Sequence, residues 1–420
     1  MKFTTRLQLS FMMFVEFFIW GAWFVTLGTF LLNNLHANGS QTGSVFSTQS
    51  WGAIIAPFII GLIADRYFNA EKILGILHLA GAILMFQMYR AGELTTVYPE
   101  VFYFYALAYM ILYMPTLGLV NSISFNQMKD PEKEFSTIRV WGTIGWIVAG
   151  LLISYAFLWD SETSVKAGLM KNTFLMASIA SLVLGLFSFT LPKTPPKVAP
   201  GTKVKVSDIL GLDALKLLKD KNFLIFFIAS ILICIPLAFY YQNANPFLSN
   251  IGVANPTGKM TIGQISEVLF LLMLPFFFKK FGFKKTILVG MFAWALRYAL
   301  FAYGNAGELS FMLIIGIALH GVCYDFFFVS GQIYTNAKAG VKYKSAAQGL
   351  ITLATYGIGM LIGFKIAGLI TDAYQVSDKV FNYKMIWIIP SGIALVVFLL
   401  FAISFNDKNE KPILDQNSNI

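Results

Sequence analysis

The chain is poor in charge, in cysteine and in histidine, and each shortage closes off a class of protein. Only 12% of its 420 residues are Asp, Glu, Lys or Arg, about half of what an ordinary soluble domain carries. Two cysteines, Cys234 and Cys323, both lie within apolar runs, so no extracellular disulfide framework is expected. Three histidines and no His-Glu-x-x-His run leave little from which to build a metal centre. A Walker-type glycine loop ending in Lys-Ser/Thr and an Asp-rich pyrophosphate motif are also missing. Neither an enzyme nor ATP-driven transport is therefore expected, and the sequence implies no cofactor and no metal.

What the chain does have is grease: 57% of residues are apolar and 16% aromatic. Crossing the hydrocarbon core as a helix takes about 20 mostly apolar residues. Twelve such stretches lie near 8–32, 43–64, 73–90, 99–124, 138–159, 172–191, 222–248, 261–278, 285–304, 309–335, 345–371 and 384–405. The expected fold class is an all-α membrane protein of twelve transmembrane helices, with the lipid bilayer as its solvent. The first run is longer than a signal-peptide core, contains Glu16 and lacks an obvious small-residue cleavage site, so it is read as a retained helix.

The net charge of +10 is not gathered into a stripe that would suit nucleic acid, and no nucleic-acid partner is expected. Most Lys and Arg fall in alternate loops, among them Lys2, Arg6, Arg66, Lys72, Lys279, Lys280, Lys284, Lys285, Lys338, Lys342 and Lys344. This positive-inside bias places both termini in the cytoplasm of a multi-pass protein of the cytoplasmic membrane.

One long polar connection, residues 192–221, separates an N-terminal bundle (1–191) from a C-terminal bundle (222–405), with a cytoplasmic tail at 406–420. Within the connection Ser207 can cap an amphipathic helix whose Ile209, Leu210, Leu212, Leu215, Leu217 and Leu218 would lie on the membrane surface. The halves look related. Pro57-Phe58 and Pro275-Phe276 recur at matching places, and Ser136-Thr-Ile-Arg139 is answered by Ser345-Ala-Ala-Gln348, as in folds built from parallel repeats. After the second span, Gly61-Leu-Ile-Ala-Asp65-Arg66 resembles the loop signature of the major facilitator superfamily, although its continuation, Tyr-Phe-Asn-Ala-Glu-Lys, departs from it. There Gly61, Asp65 and Arg66 would form a cytoplasmic gate, with Asp65 bridging helix ends.

Charge inside a span costs about 2.5–3.5 kcal/mol on insertion scales, so an ionisable residue that stays there usually faces water, a solute or a partner charge. Four stripes carry such residues. Arg139, Thr143 and Trp146 are spaced i, i+4, i+7, so a guanidinium, a hydroxyl and an indole share one face; the alternative for Arg139 is snorkelling from the helix end. Gln264 and Glu267 lie three apart with no basic residue between Lys259 and Lys279. His320, Tyr324 and Asp325 follow on the tenth span, and Asp325 is the leading proton-coupling residue, with Glu267 and Glu16 as the others. Glu16 shares a face with Trp20 and Trp23, expected to be lumenal, while Tyr241, Gln242 and Asn245 follow Pro236, which should disturb its helix. Arg297 and Lys365 are also intramembrane, without an assigned role.

Several runs resemble the nucleoside:proton symporter family over almost the whole chain. They include Trp20-Gly-Ala-Trp23; Tyr113-Met-Pro-Thr-Leu-Gly-Leu-Val-Asn121; Ile138-Arg139-Val-Trp141-Gly-Thr143-Ile-Gly145; Leu210-Gly-Leu-Asp213-Ala; Gln264-Ile-Ser-Glu267; and Arg297-Tyr-Ala-Leu-Phe-Ala-Tyr-Gly304. The resemblance implies a major facilitator fold and alternating access. It also implies that Arg139, Thr143, Gln264 and Glu267 surround a nucleoside and that Asp325 serves coupling to protons. Against the family pattern, Trp146, His320 and Tyr324 replace Phe, Tyr and Phe, Glu16 replaces a neutral glutamine, and Ala238 and Tyr241 stand where a substrate-binding Gln and Asn are expected. The expected function is proton-coupled nucleoside import by a monomer. The alternatives are a same-fold symporter for a sugar, glycoside or other polar ring-bearing solute, or a cation efflux antiporter.

Overall fold

The structure, a computed structural model, describes residues 2–60, 67–93, 99–196 and 212–406. It is almost wholly helical. The long helices are α1 (Phe3–Asn34, turning after Trp23), α2 (Gly39–Ile59), α3 (Ala70–Ala91), α4 (Pro99–Gln127), α5 (Glu134–Ala156) and α6 (Leu169–Ser188). Then follow α7 (Lys221–Asn250), a 48-residue run Pro256–Tyr303, α10 (Ser310–Gly340), α11 (Ala346–Ala373) and α12 (Tyr383–Ser404). The 48-residue run is two helices: at Gly282 φ is +73°, a left-handed value that glycine adopts without steric penalty. It is therefore divided into α8 (256–281) and α9 (283–303). Gly340, with φ +63°, makes the same kind of break between α10 and α11. Ten helices among the described residues are long and apolar enough to cross a membrane. With the Gly282 break and the more polar α2, the architecture is consistent with twelve crossings.

The outward faces explain why such a chain needs lipid. On α8, Ile265, Leu269, Leu272 and Phe276 recur at helical spacing, and each is more than half exposed. In water that stripe would drive aggregation. In hydrocarbon it is solvated, while the helix satisfies its own backbone groups.

The chain divides into two compact units, Met1–Val204 with Leu248–Gly258, and Lys205–Phe247 with Lys259–Ile420. In the first unit α1 packs on α5 and α6, α3 on α4 and α6, and α2 on α4. A Cβ at Gly145 would lie 2.1 Å from the Phe14 carbonyl oxygen, so α1 and α5 meet backbone to backbone. The entry to α2 is fixed by a reciprocal cap: the Gln41 amide donates to Asn38 Oδ1 at 2.7 Å, and the Asn38 amide donates to Gln41 Oε1 at 3.0 Å. The same unit holds Asp160, whose carboxylate accepts from the Thr257 amide at 3.0 Å and from Ser154, and so caps the start of α8.

In the second unit α7 runs unbroken through Pro236, whose carbonyl accepts from the Tyr298 hydroxyl at 2.8 Å. The helix assignment thus continues through the position where a disturbance was expected. The amphipathic connection is described only from Leu212, and Leu212–Lys219 forms 3₁₀ turns, not an α-helix, packed on the helix Ser330–Thr352. Ser207, Ile209 and Leu210 lie outside the described residues, as do Gly61, Asp65 and Arg66 of the expected gate.

Candidate functional site

The N-terminal unit separates two stripes that look alike in sequence. Arg139, Thr143 and Trp146 stay together, all half-buried on α5. The Arg139 guanidinium sits 4.1 Å from the Phe17 ring centroid on α1, and Trp146 meets Trp20 edge-on at 5.6 Å. This is a cation with its aromatic bed and an indole pair, not a side chain stretched toward a helix end.

The Glu16, Trp20 and Trp23 face does not behave as expected. Trp23 is fully buried against Tyr109 and Phe174, and Trp20 is nearly so. Glu16 is fully buried, and both of its oxygens are taken. Oε2 lies 2.8 Å from His78 Nε2 on α3, and Oε1 accepts from the Thr116 hydroxyl at 2.6 Å on α4. The Tyr113 hydroxyl adds a bond to the Glu16 carbonyl at 2.8 Å. The expectation of a wet lumenal face is corrected here: Glu16 ties three helices together inside the bundle. A fourfold spacing on α1 could not reveal this, because the partner is 62 residues away in the chain.

In the C-terminal unit the stripes of α8 and α10 are brought together. A Cβ on Gly321 would lie 2.5 Å from the Glu267 amide nitrogen, and the Gly321 amide donates to Ser266 Oγ at 3.0 Å. The two helices therefore touch at the level of Glu267, and His320 Nε2 comes to 4.0 Å from Glu267 Oε2. That is beyond a hydrogen bond. Glu267 keeps a quarter of its side chain accessible, while His320 is buried. Gln264 is half-buried one turn away.

One turn beyond His320, the Tyr324 hydroxyl shares a hydrogen bond of 2.9 Å with Tyr356 of α11. Tyr241, half-buried on α7, lies within electrostatic reach of Tyr356 and of Glu267. Gln242 and Asn245, by contrast, are fully buried, and the Asn245 amide reaches Met260 Sδ at 3.7 Å. Of the three α7 residues, only Tyr241 stays accessible. Asp325 opens a π-helical segment, Asp325–Val329, and is 1% exposed. Among the described residues its Oδ2 has no hydrogen-bond partner. A π-turn is the kind of place where helices deviate for function.

Three residues were missed or left unassigned by sequence reasoning. His78 lies on a helix with no flanking motif, and Tyr356 lies in the π-helical segment Leu353–Gly359, where helical spacing fails. Arg297, fully buried on α9, donates from Nη1 to His320 Nδ1 at 3.0 Å and from Nε to the Gly316 carbonyl at 3.1 Å. A buried arginine in an apolar span was itself the signal, but its partner was not legible. Lys365 is exposed, as a snorkelling lysine would be. The described residues contain no group of three or more His, Cys, Asp or Glu able to hold a metal.

Comparison with known proteins agrees with this arrangement of helices. YegT of Escherichia coli strain K12 is 44% identical over 421 residues, covering 97% of this chain and 95% of YegT. The xanthosine permease of the same organism is 33% identical, covering 96% and 97%. The crystal structure of a mutant of the nucleoside transporter NupG superposes with a TM-score of 0.87 at 30% identity, covering 96% of this chain and 100% of that one. The fold is that of major facilitator transporters, and the protein is a transporter, not an enzyme. The model of the nucleoside H+ symporter family matches residues 1–410, and the chain belongs to that family.

Proposed function

We propose that this symporter carries a nucleoside into the cell together with protons, by alternating access, in a cytoplasmic membrane with both termini inside. The observation that carries this reading is Glu267: an intramembrane carboxylate that keeps partial access while its nearest imidazole stops 4.0 Å short of it. A partly accessible carboxylate can accept from the hydroxyl or N–H groups of a polar ring-bearing solute. Gln264, Tyr241, His320 and Tyr324 supply further polar and aromatic contact from the same unit. Taken by itself, the N-terminal unit presents a fork of donors, a hydroxyl and a stacking surface at Arg139, Thr143 and Trp146. The relatives' names point to nucleosides, with a xanthosine permease and the nucleoside transporter NupG among them.

Asp325 is the proposed proton carrier. It is buried with no partner for Oδ2 among the described residues, and a carboxyl that alternates between such a closed place and water can take and release a proton. We read the chain as a monomer of two six-helix halves, 1–191 and 222–405, strapped by 192–221 and ending in a cytoplasmic tail at 406–420.

The test is uptake of labelled uridine, adenosine and xanthosine against a sugar panel, at two external pH values, with and without a protonophore. Nucleoside accumulation that rises as external pH falls and collapses with the protonophore supports the reading. Asp325→Asn should abolish accumulation while leaving exchange of internal for external solute. Accumulation that survives both the protonophore and Asp325→Asn would remove proton coupling, and transport of sugars alone would move the protein to a different solute class.

A further inference from the structure

Arg297 is a guanidinium sealed in an apolar bundle, 0% exposed, with no ion pair among the described residues. A buried cation without a carboxylate is costly unless its environment is built around it. Here part of it is, while Nη2 has no hydrogen-bond partner among the described residues. The guanidinium lies 4.1 Å from the Tyr240 ring centroid, Nε donates to the Gly316 carbonyl, and Nη1 lies 3.0 Å from His320 Nδ1. The last contact fixes the chemistry of the imidazole. A guanidinium has donors and no acceptor and does not deprotonate in proteins, so Nδ1 must offer its lone pair. His320 is then a neutral ring whose single N–H is on Nε2, the nitrogen that faces Glu267 Oε2.

The ring has little freedom to do otherwise. It stacks on Tyr240 at 5.3 Å with an interplanar angle of 22°, and the Gly321 contact holds its helix against α8. The ionisable groups that face it are Arg297 from α9, Tyr240 from α7, Glu267 from α8 and Tyr324 from its own helix.

We propose that Arg297 is a positioning residue that locks His320 as an Nε2–H donor aimed at the solute-binding carboxylate. Donor and acceptor 4.0 Å apart suit one polar atom seated between them that accepts from Nε2–H and donates to Glu267, and a hydroxyl does both with the same oxygen. Released from Arg297, the ring could place its hydrogen on Nδ1, turn, or take a second proton and close an ion pair onto Glu267 that competes with the solute. The part of this inference that concerns solute rests on the proposed role of Glu267; the part that concerns the ring does not.

The experiment is 15N NMR of the full chain in lipid nanodiscs with labelled histidine, assigned with His320→Gln, alongside uptake kinetics. His320 is expected to give the Nε2–H signature of a neutral ring from about pH 6 to about pH 8, a range over which an unconstrained histidine would titrate. Arg297→Gln should shift it to a mixed or titrating signature and raise KM about tenfold with little change in maximal rate, while Arg297→Lys, which restores a cationic donor, should recover part of both. In a His320→Gln background the Arg297 substitution should no longer change KM. An Nδ1–H or doubly protonated ring in the unsubstituted protein overturns the proposal, and that measurement stands even if the arginine variants fail to fold. A correct ring signature with unchanged KM in Arg297→Gln overturns the positioning role alone and leaves the nucleoside uptake assay to judge Glu267.

Discussion

Among the described residues, a histidine–glutamate pair stands within each half, and the two are built to opposite ends. In the N-terminal unit Glu16 and His78 meet at 2.8 Å with side chains 0% and 2% exposed. In the C-terminal unit Glu267 and His320 stop at 4.0 Å with side chains 25% and 5% exposed. The first pair is saturated, because Thr116 takes the remaining Glu16 oxygen. The second is held apart, because Arg297 occupies the far nitrogen of its histidine and the α8–α10 contact sets the distance. The same two residue types therefore close on each other in one unit and stand apart in the other. What distinguishes them is the third partner.

Four substitutions break or sharpen this contrast. The largest effect is expected for Glu16→Ala, which strands His78 and Thr116 in the bundle: removing one member of a buried pair costs about 3–5 kcal/mol. Thermal unfolding of the purified protein should show the loss, with uptake falling only in proportion to folded protein. A fully stable Glu16→Ala that fails to transport would instead put Glu16 in the transport machinery. Next is Gly321→Ala, whose added carbon must displace the α8 backbone. Overpacking of this kind costs about 1–3 kcal/mol, and solute affinity should fall with it because the His320–Glu267 gap changes. Glu267→Gln should weaken solute binding about tenfold, equivalent to about 1.4 kcal/mol, by calorimetry, with the unfolding temperature almost unmoved. Unaltered affinity would take Glu267 out of the site. The smallest effect belongs to Glu16→Gln, since an amide can still accept from Thr116 and hydrogen-bond His78. A change of about 1 kcal/mol or less is expected, and a large loss would mean that the charge on Glu16, not only its hydrogen bonds, is needed.

Much of the candidate site was legible because helical spacing is a local property. Arg139, Thr143 and Trp146 do share a face, His320 and Tyr324 do meet along one helix face, and Glu267 does remain accessible beside Gln264. The reading failed where the direction of that face mattered. Glu16 with Trp20 and Trp23 had the same spacing as the α5 stripe, yet rotation of α1 turns the carboxylate toward α3 and α4. On α7, Gln242 and Asn245 are adjacent in sequence to the accessible Tyr241 but are fully buried.

The sequence by itself determined that the chain lives in lipid, where its helices lie, and which side chains share each helical face. Apolar length and 3.6-residue periodicity are properties of a segment alone. Only the tertiary structure decided which imidazole meets which carboxylate, how far apart they stand and what holds them there. Those pairings depend on how each helix is rotated against its neighbours. That rotation is set by backbone contacts at Gly145 and Gly321 between residues distant in the chain.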